Sequence, residues 1–162
     1  MKKILVILSL LFCIPVSGQN NVADMLIAKG YGKTTRAIIV ANEDYQTYSD
    51  SPLYIENEEL AILKAEKFQQ MLIKKLGILP QNIQFFPDAL NTHIKLAITK
   101  LQRDLPNDVK IIFYYRGKLF EDEKDTWLVP VDVSNEETFY MFGMNDLCTR
   151  LNNINKAGVT IF

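Results

Sequence analysis

The chain has 162 residues, 48% of them hydrophobic and 23% charged, with 18 basic and 19 acidic side chains. That length and balance allow one domain with a real core and exclude a disordered chain. With charges nearly balanced and no basic stripe, nucleic-acid binding has no electrostatic support, and one histidine with two distant cysteines makes no metal site and points to no cofactor.

Lys2-Lys3 precede an apolar run, Ile4–Val16, and then Val16-Ser17-Gly18 before Gln19. Basic start, apolar middle and small-residue end are the pattern of a secretory signal peptide over residues 1–18, with cleavage near Gly18-Gln19. The run is broken by Pro15 and is too short to span a bilayer. Phe12 is too bulky for a lipidation box at Cys13, so Cys13 leaves with the leader. A secreted or periplasmic protein is expected, with no membrane attachment after cleavage. Loss of Lys2 and Lys3 leaves 16 basic residues against 19 acidic, a net charge of about −3. Cys148 then has no intrachain disulfide partner.

Residues 19–35 are polar and read as a linker. Its stretch "GYGKTT" (Gly30–Thr35) is not a phosphate loop: Ile27 stands where the first glycine is required, and the stretch precedes a strand instead of following one. "RAIIVA" (Arg36–Ala41) predicts a strand buried on both faces. Over 57–76, Ala61, Ala65, Phe68, Leu72 and Leu76 form one apolar stripe. Glu58 and Glu59 lie at its start, Lys74 and Lys75 at its end, and Gly77 and Pro80 stop it, which predicts a helix. "NIQFF" (Asn82–Phe86) predicts a second strand. Thr92 is placed to cap a helix over 92–105 whose Ile94, Ala97, Ile98, Leu101 and Leu105 share a face, with Pro106 ending it.

"VKIIFYY" (Val109–Tyr115) predicts a third strand, running out into Arg116-Gly117-Lys118. "TWLVPVDV" (Thr126–Val133) reads as a short extended excursion, since Pro130 excludes a central strand. Met144, Leu147, Cys148, Leu151 and Ile154 make a third amphipathic helix, and "AGVTIF" (Ala157–Phe162) a fourth strand. The alternation predicts an α/β fold: a three-layer sandwich around a mainly parallel sheet. Ligands and catalytic groups gather at the carboxyl ends of strands in such sheets. The candidate segments are therefore Asn42–Tyr45, Pro87–His93, Arg116–Leu119 and whatever follows Phe162.

From Arg36 to Phe162, order and residues together resemble the caspase/metacaspase family of cysteine peptidases, in particular its bacterial members. "RAIIVANEDYQ" is similar to the family's opening strand and tyrosine-bearing loop. "LYIENEELAILKAEKFQQMLIKKLGI" is similar to its first helix, with Glu58 where an aspartate is usual, and "DTWLVPVDVS" to its leucine-valine-proline-x-aspartate segment. The resemblance implies strand order 2-1-3-4, here incomplete and covering the large-subunit-like part of the domain.

It also implies a third strand leading into Ser-Gly-His-Gly, whose histidine is the acid/base, and a fourth leading into Asp-x-Cys, whose cysteine is the nucleophile. Aligning "FYYRGKL" puts Gly117 on the first glycine, Lys118 on the histidine and Leu119 on the second glycine; the cysteine position lies beyond Phe162. An unperturbed lysine titrates about three to four units too high to exchange a proton with a thiol near neutral pH. Cys148 falls on the sheet-facing side of its helix and reads as a core thiol. His93, in the first turn of a helix, stands about 10 Å to the side of Lys118 because the first strand separates the second from the third.

Substrate-edge candidates are Asn42, Glu43, Asp44, Tyr45 and Arg116. Glu43 and Asp44 read either as an acidic pocket for a basic substrate residue or, preferred, as salt links to Arg116 or Lys118 or as solvated charges. The expected function is a secreted caspase-like pseudo-peptidase that binds a protein or peptide ligand. One alternative is the N-terminal fragment of a caspase-family cysteine endopeptidase whose nucleophile-bearing half lies elsewhere. The other is an unrelated secreted α/β binding domain; a receiver-like fold would need an aspartate where Tyr115-Arg116 stand. The apolar edge Val159–Phe162 is expected to invite self-association.

Overall fold

Apolar runs without polar alternation need cover on both faces, and the parallel sheet supplies it. The structure, a computed structural model, describes residues 5–6, 16–48, 55–104, 108–133, 141–154 and 157–162. Helix α1 (Val16–Ala28) leads to strand β1 (Arg36–Ala41). A single turn, α2 (Tyr45–Tyr48), then helix α3 (Ala61–Leu76), strand β2 (Ile83–Pro87) and helix α4 (Asn91–Asp104) follow. Strand β3 (Ile111–Arg116) runs into the short strands β4 (Leu119–Glu121), β5 (Thr126–Leu128) and β6 (Phe142–Gly143), and the described chain closes with helix α5 (Met144–Ile154) and strand β7 (Val159–Ile161).

The main sheet is parallel, in the order β2-β1-β3-β7. These are the second, first, third and fourth predicted strands, in the predicted order. Ile39 sits opposite Phe85 on one side and Tyr114 on the other, so β1 is central and its Ala37–Ala41 are all buried. On one face, Ala23 and Leu26 of α1 and Phe68 and Leu72 of α3 pack on Ala37, Ile39, Ile112 and Tyr114. Phe68 stacks on Tyr114 with ring centres 4.4 Å apart. On the other face, Ile94 and Ile98 of α4 and Leu147 and Leu151 of α5 pack on Ile38, Val40, Ile111 and Phe113. The result is three layers, helices–sheet–helices.

The predicted stripe of α3 is buried at every position. Gly77 ends the helix at φ 68°, and its N–H reaches Ile73 O at 3.2 Å, the five-to-one bond of a left-handed cap, a conformation that favours glycine. The start of α3 differs from the sequence reading. It begins at Ala61 rather than Asn57, because Leu60 takes a left-handed φ of 63° and turns residues 55–60 away as an irregular strap. The cap comes from another element: Glu43 Oε2 accepts the Ile62 N–H at 3.1 Å. Thr92 likewise lies inside α4, whose first turn is served by Asp132 Oδ1 accepting the Asn91 N–H at 3.0 Å. Leu105 and Pro106 fall outside the described residues.

Two other readings are corrected. Residues 19–35 are more than a linker. Ala23, Leu26 and Tyr31 enter the core, and the Tyr31 hydroxyl meets Thr160 Oγ1 at 2.7 Å. Lys110 Nζ, which donates to Lys29 O at the end of α1, also lies 5.1 Å from the centre of the Tyr31 ring. The excursion also contains a middle strand after all: β5 pairs antiparallel with β4 and β6 in a small second sheet, and it ends at Leu128, two residues before Pro130.

Leu5–Val6 lie parallel to β7, opposite Thr160 and Ile161. They belong to the segment read as a signal peptide, and its removal would leave β7 as that edge of the sheet. No described helix is long and apolar enough to cross a membrane.

If α1 is part of the folded unit, truncating its buried anchor must destabilise the whole domain. Leu26→Ala is expected to lower stability by about 3 kcal/mol. Urea unfolding measures this, and a loss under about 0.5 kcal/mol, as for a surface position, would return the segment to the status of a linker.

Candidate functional site

At the carboxyl ends of β1 and β3 the chain places Asn42–Tyr45 beside Arg116–Leu119. The ladder continues one residue past β1, with the Asn42 N–H donating to Arg116 O at 2.7 Å. The Asn42 side chain is fully buried. Its Nδ2 donates to Val129 O at 3.0 Å, and its Oδ1 accepts the Ala89 N–H at 2.8 Å. One amide therefore ties the exits of β1 and β2 to the segment that follows β5.

Two phenols hold the loop after β3. Tyr45 Oη accepts the Lys118 N–H at 2.8 Å and donates to Val129 O at 3.2 Å. The Tyr115 hydroxyl lies 2.9 Å from Lys118 O and 2.8 Å from Val129 O, and shares its one proton between these carbonyls. Lys118 O also accepts the Val129 N–H at 3.2 Å. Gly117 passes between the two hydroxyls. A Cβ there would stand 2.6 Å from Tyr45 Oη, 2.7 Å from Tyr115 Oη and 3.0 Å from Asn42 Cβ. Both main-chain groups of Lys118 are thus engaged, and the glycine is required by space.

The charges are arranged differently from the sequence expectation. Arg116 and Lys118 both pair with Glu58 on the strap, a partner the sequence reading did not give them. Arg116 Nη2 meets Glu58 Oε1 at 3.1 Å and Lys118 Nζ meets Glu58 Oε2 at 3.4 Å. Asn57 Oδ1 holds the strap in place by accepting the Tyr45 N–H at 2.9 Å and the Gln46 N–H at 3.2 Å, and the Glu58 N–H donates to Glu43 O at 3.0 Å.

The acids of the first loop are occupied locally. Glu43 caps α3, and Asp44 Oδ1 accepts the Thr47 N–H at 3.0 Å. The hydrogen bonds from Thr47, its side chain first, hold the exposed Asp44 carboxyl below its ordinary value. Asp88, itself left-handed at φ 45°, receives the Glu43 and Asp44 N–H groups on Oδ1 at 2.8 and 2.9 Å.

His93 sits in the first turn of α4, as expected, where its Nδ1 accepts the Leu90 N–H at 3.3 Å and its ring lies 6.0 Å from that of Phe86. It flanks β2, so β1 separates it from Lys118. Cys148 is half-buried, packed with α5 on the sheet. Burial first, and Asp125 second, push its thiol upward, the reverse of what an activated nucleophile needs. Leu119 is 46% exposed at the start of β4. Phe162 lies edge-on to Phe68, ring centres 5.4 Å apart, and its N–H donates to Phe113 O at 2.8 Å. Among the described residues no group of three or more histidine, cysteine, aspartate or glutamate side chains could hold a metal ion.

The two phenols also predict an alkaline transition. Burial, opposed by the hydrogen bonds to Tyr115 and Lys118, pushes Tyr45 up to about 12, and burial pushes Tyr115 well above its ordinary value. A phenol whose folded pKa exceeds its unfolded value of about 10 gives stability that is complete below pH 10 and lost as pH rises through about 12. For Tyr45 the amount is on the order of 2–3 kcal/mol. Stability should therefore fall between pH 10 and 12, and the fall should be shallower in Tyr45→Phe. Equal slopes in the two proteins, from urea titrations at each pH, would contradict the assignment.

Sequence reasoning found Asn42, Tyr45, Arg116, Gly117 and Lys118, but gave Glu58, Asn57, Asp88, Tyr115 and the Val129 carbonyl no part in the site. No family model matches the chain, and no curated protein matches it significantly.

Proposed function

We propose that this chain is a secreted, caspase-like domain that binds a protein or peptide ligand at the carboxyl edge of its sheet and does not cleave it. The observation that carries this reading is the state of Lys118. It stands where the resemblance puts the catalytic histidine, its ammonium is paired to Glu58, and both its main-chain groups are bonded. A cysteine peptidase needs a group there that takes a proton from a thiol and returns one to the leaving amine. An ion-paired ammonium has no lone pair to accept a proton. The described residues offer no activated thiol at this edge either, since Cys148 packs from α5 against the core beneath it, with its thiol pushed upward.

The strand order 2-1-3-4 and the placement of "LVPVD" directly behind the Lys118 loop support the caspase-like reading. The Val129 of that segment is the hub on which Asn42, Tyr45 and Tyr115 converge. The signal-peptide pattern of residues 1–18 supports secretion, and the apolar β7 edge supports self-association after cleavage. Restoring the histidine alone tests the central point. Lys118→His is expected to show no turnover of peptides with arginine, lysine or aspartate before the scissile bond, because members of such a catalytic unit do not act singly. Turnover gained by that one change would show that a nucleophile is in place, and would replace the binding reading with that of a disabled peptidase.

A further inference from the structure

We propose that the outer edge of β4 takes up an extended peptide as an added antiparallel strand, with a basic residue opposite Glu121 and, two positions later, an aliphatic residue opposite Leu119. The inference rests on the reading of this edge as a peptide-binding one, and it names the ligand's conformation and residue pattern.

The register of the small sheet decides which main-chain groups are open. β4 is an edge strand in the order β4-β5-β6. Its Leu119, Phe120 and Glu121 stand opposite Leu128, Trp127 and Thr126. The Val129 N–H donates to Lys118 O at 3.2 Å and the Asp122 N–H to Asp125 O at 3.1 Å. Main-chain bonds alternate along an antiparallel pair, so Lys118, Phe120 and Asp122 bond towards β5. Leu119 and Glu121 then turn both N–H and C=O outward. Among the described residues these groups meet no other partner.

The strand is also held ready. Before it, Lys118 is bonded at its N–H and its C=O. Within it, the Phe120 side chain takes the other face and packs against the cluster of Tyr45, Val129 and Val131. After it, Asp122 Oδ1 accepts the Lys124 and Asp125 N–H groups, each at 2.8 Å, and closes a turn. An added strand has to order itself but little of the protein, which keeps the entropic cost down.

Main-chain bonds give such a complex its affinity, and the side chains on the open face select the ligand. Leu119 and Glu121 share that face and are both exposed, Leu119 by 46%. Glu121 leads into Asp122 and Glu123, with Lys124 the one cation of the turn. Directly opposed positions on a sheet favour opposite charges and matched apolar groups. An antiparallel ligand runs against β4, so its residue opposite Glu121 comes before its residue opposite Leu119. The pattern is arginine or lysine, any residue, then isoleucine or valine. An edge this short, carrying a glutamate, discourages long apolar strands and leaves a short basic one as the fitting occupant.

Solution NMR of the folded chain at constant ionic strength tests the edge residue by residue. The probe is the acetylated, amidated pentapeptide threonine-arginine-threonine-isoleucine-threonine. Its controls are the reversed sequence and the same peptide N-methylated at isoleucine, which keeps every side chain and loses one main-chain donor. The Leu119 and Glu121 amides are expected to shift downfield and gain protection from exchange, while that of Phe120, already bonded to β5, stays. N-methylation, reversal and Glu121→Lys are each expected to weaken binding about tenfold. Equal binding of the reversed or N-methylated peptide, or an affinity unchanged in Glu121→Lys, overturns the proposal. The same shifts on raising protein concentration without peptide would assign the edge to a second copy and overturn the peptide as its occupant. Peptide binding that moves the Asn42–Tyr45 amides and leaves those of Leu119 and Glu121 in place overturns this inference alone. Absent binding also overturns it, whereas peptide turnover by the wild-type chain overturns the non-catalytic reading.

Discussion

Gly117→Ala should destabilise the domain by about 3 kcal/mol, more than an exposed glycine at an ordinary φ would lose. The new methyl meets two buried hydroxyls at 2.6 and 2.7 Å and the Asn42 side chain at 3.0 Å. Neither phenol can retreat without breaking a hydrogen bond, Tyr45 to the Lys118 N–H or Tyr115 to the carbonyls of Lys118 and Val129. Removing both hydroxyls should therefore relieve the clash. In a Tyr45→Phe/Tyr115→Phe background, Gly117→Ala is expected to cost less than about half as much, a coupling that a double-mutant cycle reads directly. Additive costs from urea unfolding would show that the loop is not clamped between the phenols.

Asn42→Ala is expected to have a comparable effect, about 3 kcal/mol, for a different reason. It leaves the buried Ala89 N–H without its acceptor and takes a donor from Val129 O, and a stranded buried group costs about 1–3 kcal/mol. Asn42→Asp separates the two bonds. It keeps the acceptor for Ala89 but sets a carboxylate oxygen against the Val129 carbonyl. Burial, with the Val129 carbonyl oxygen facing one carboxylate oxygen, raises the folded pKa of that carboxyl above its unfolded value of about 3.9. The variant should therefore approach wild-type stability below about pH 4 and lose ground as pH rises through the raised folded pKa. A pH-independent penalty would show that position 42 is not enclosed as described.

The main sheet and three of its covering helices were legible because their signals are local. Stripes such as Ala61–Leu76 and Ile94–Leu101 repeat at helical spacing, and the unbroken run Arg36–Ala41 could only be a strand covered on both faces. Right-handed crossovers then left few orders open. Helix α1 was missed because its few buried residues lie in a polar stretch beside a signal-peptide pattern.

The site was half legible. Its residues follow from where strands end, but its pairings do not. Adjacency suggested that Glu43 and Asp44 would meet the cations, whereas Leu60 turns a strap that delivers Glu58 from 58 residues before Arg116. The Tyr45–Lys118 bond spans 73 residues, and no periodicity encodes a contact of that range.

Whether this edge cleaves peptides decides between a binding domain and a peptidase. The most direct measurement is a panel of fluorogenic peptides with arginine, lysine or aspartate before the scissile bond, given to the purified wild-type chain and to Cys148→Ala. The Lys118–Glu58 pair and the packed Cys148 thiol predict no turnover above background in either protein. Turnover by the wild-type chain that disappears in Cys148→Ala would identify that thiol as a nucleophile and contradict the non-catalytic reading.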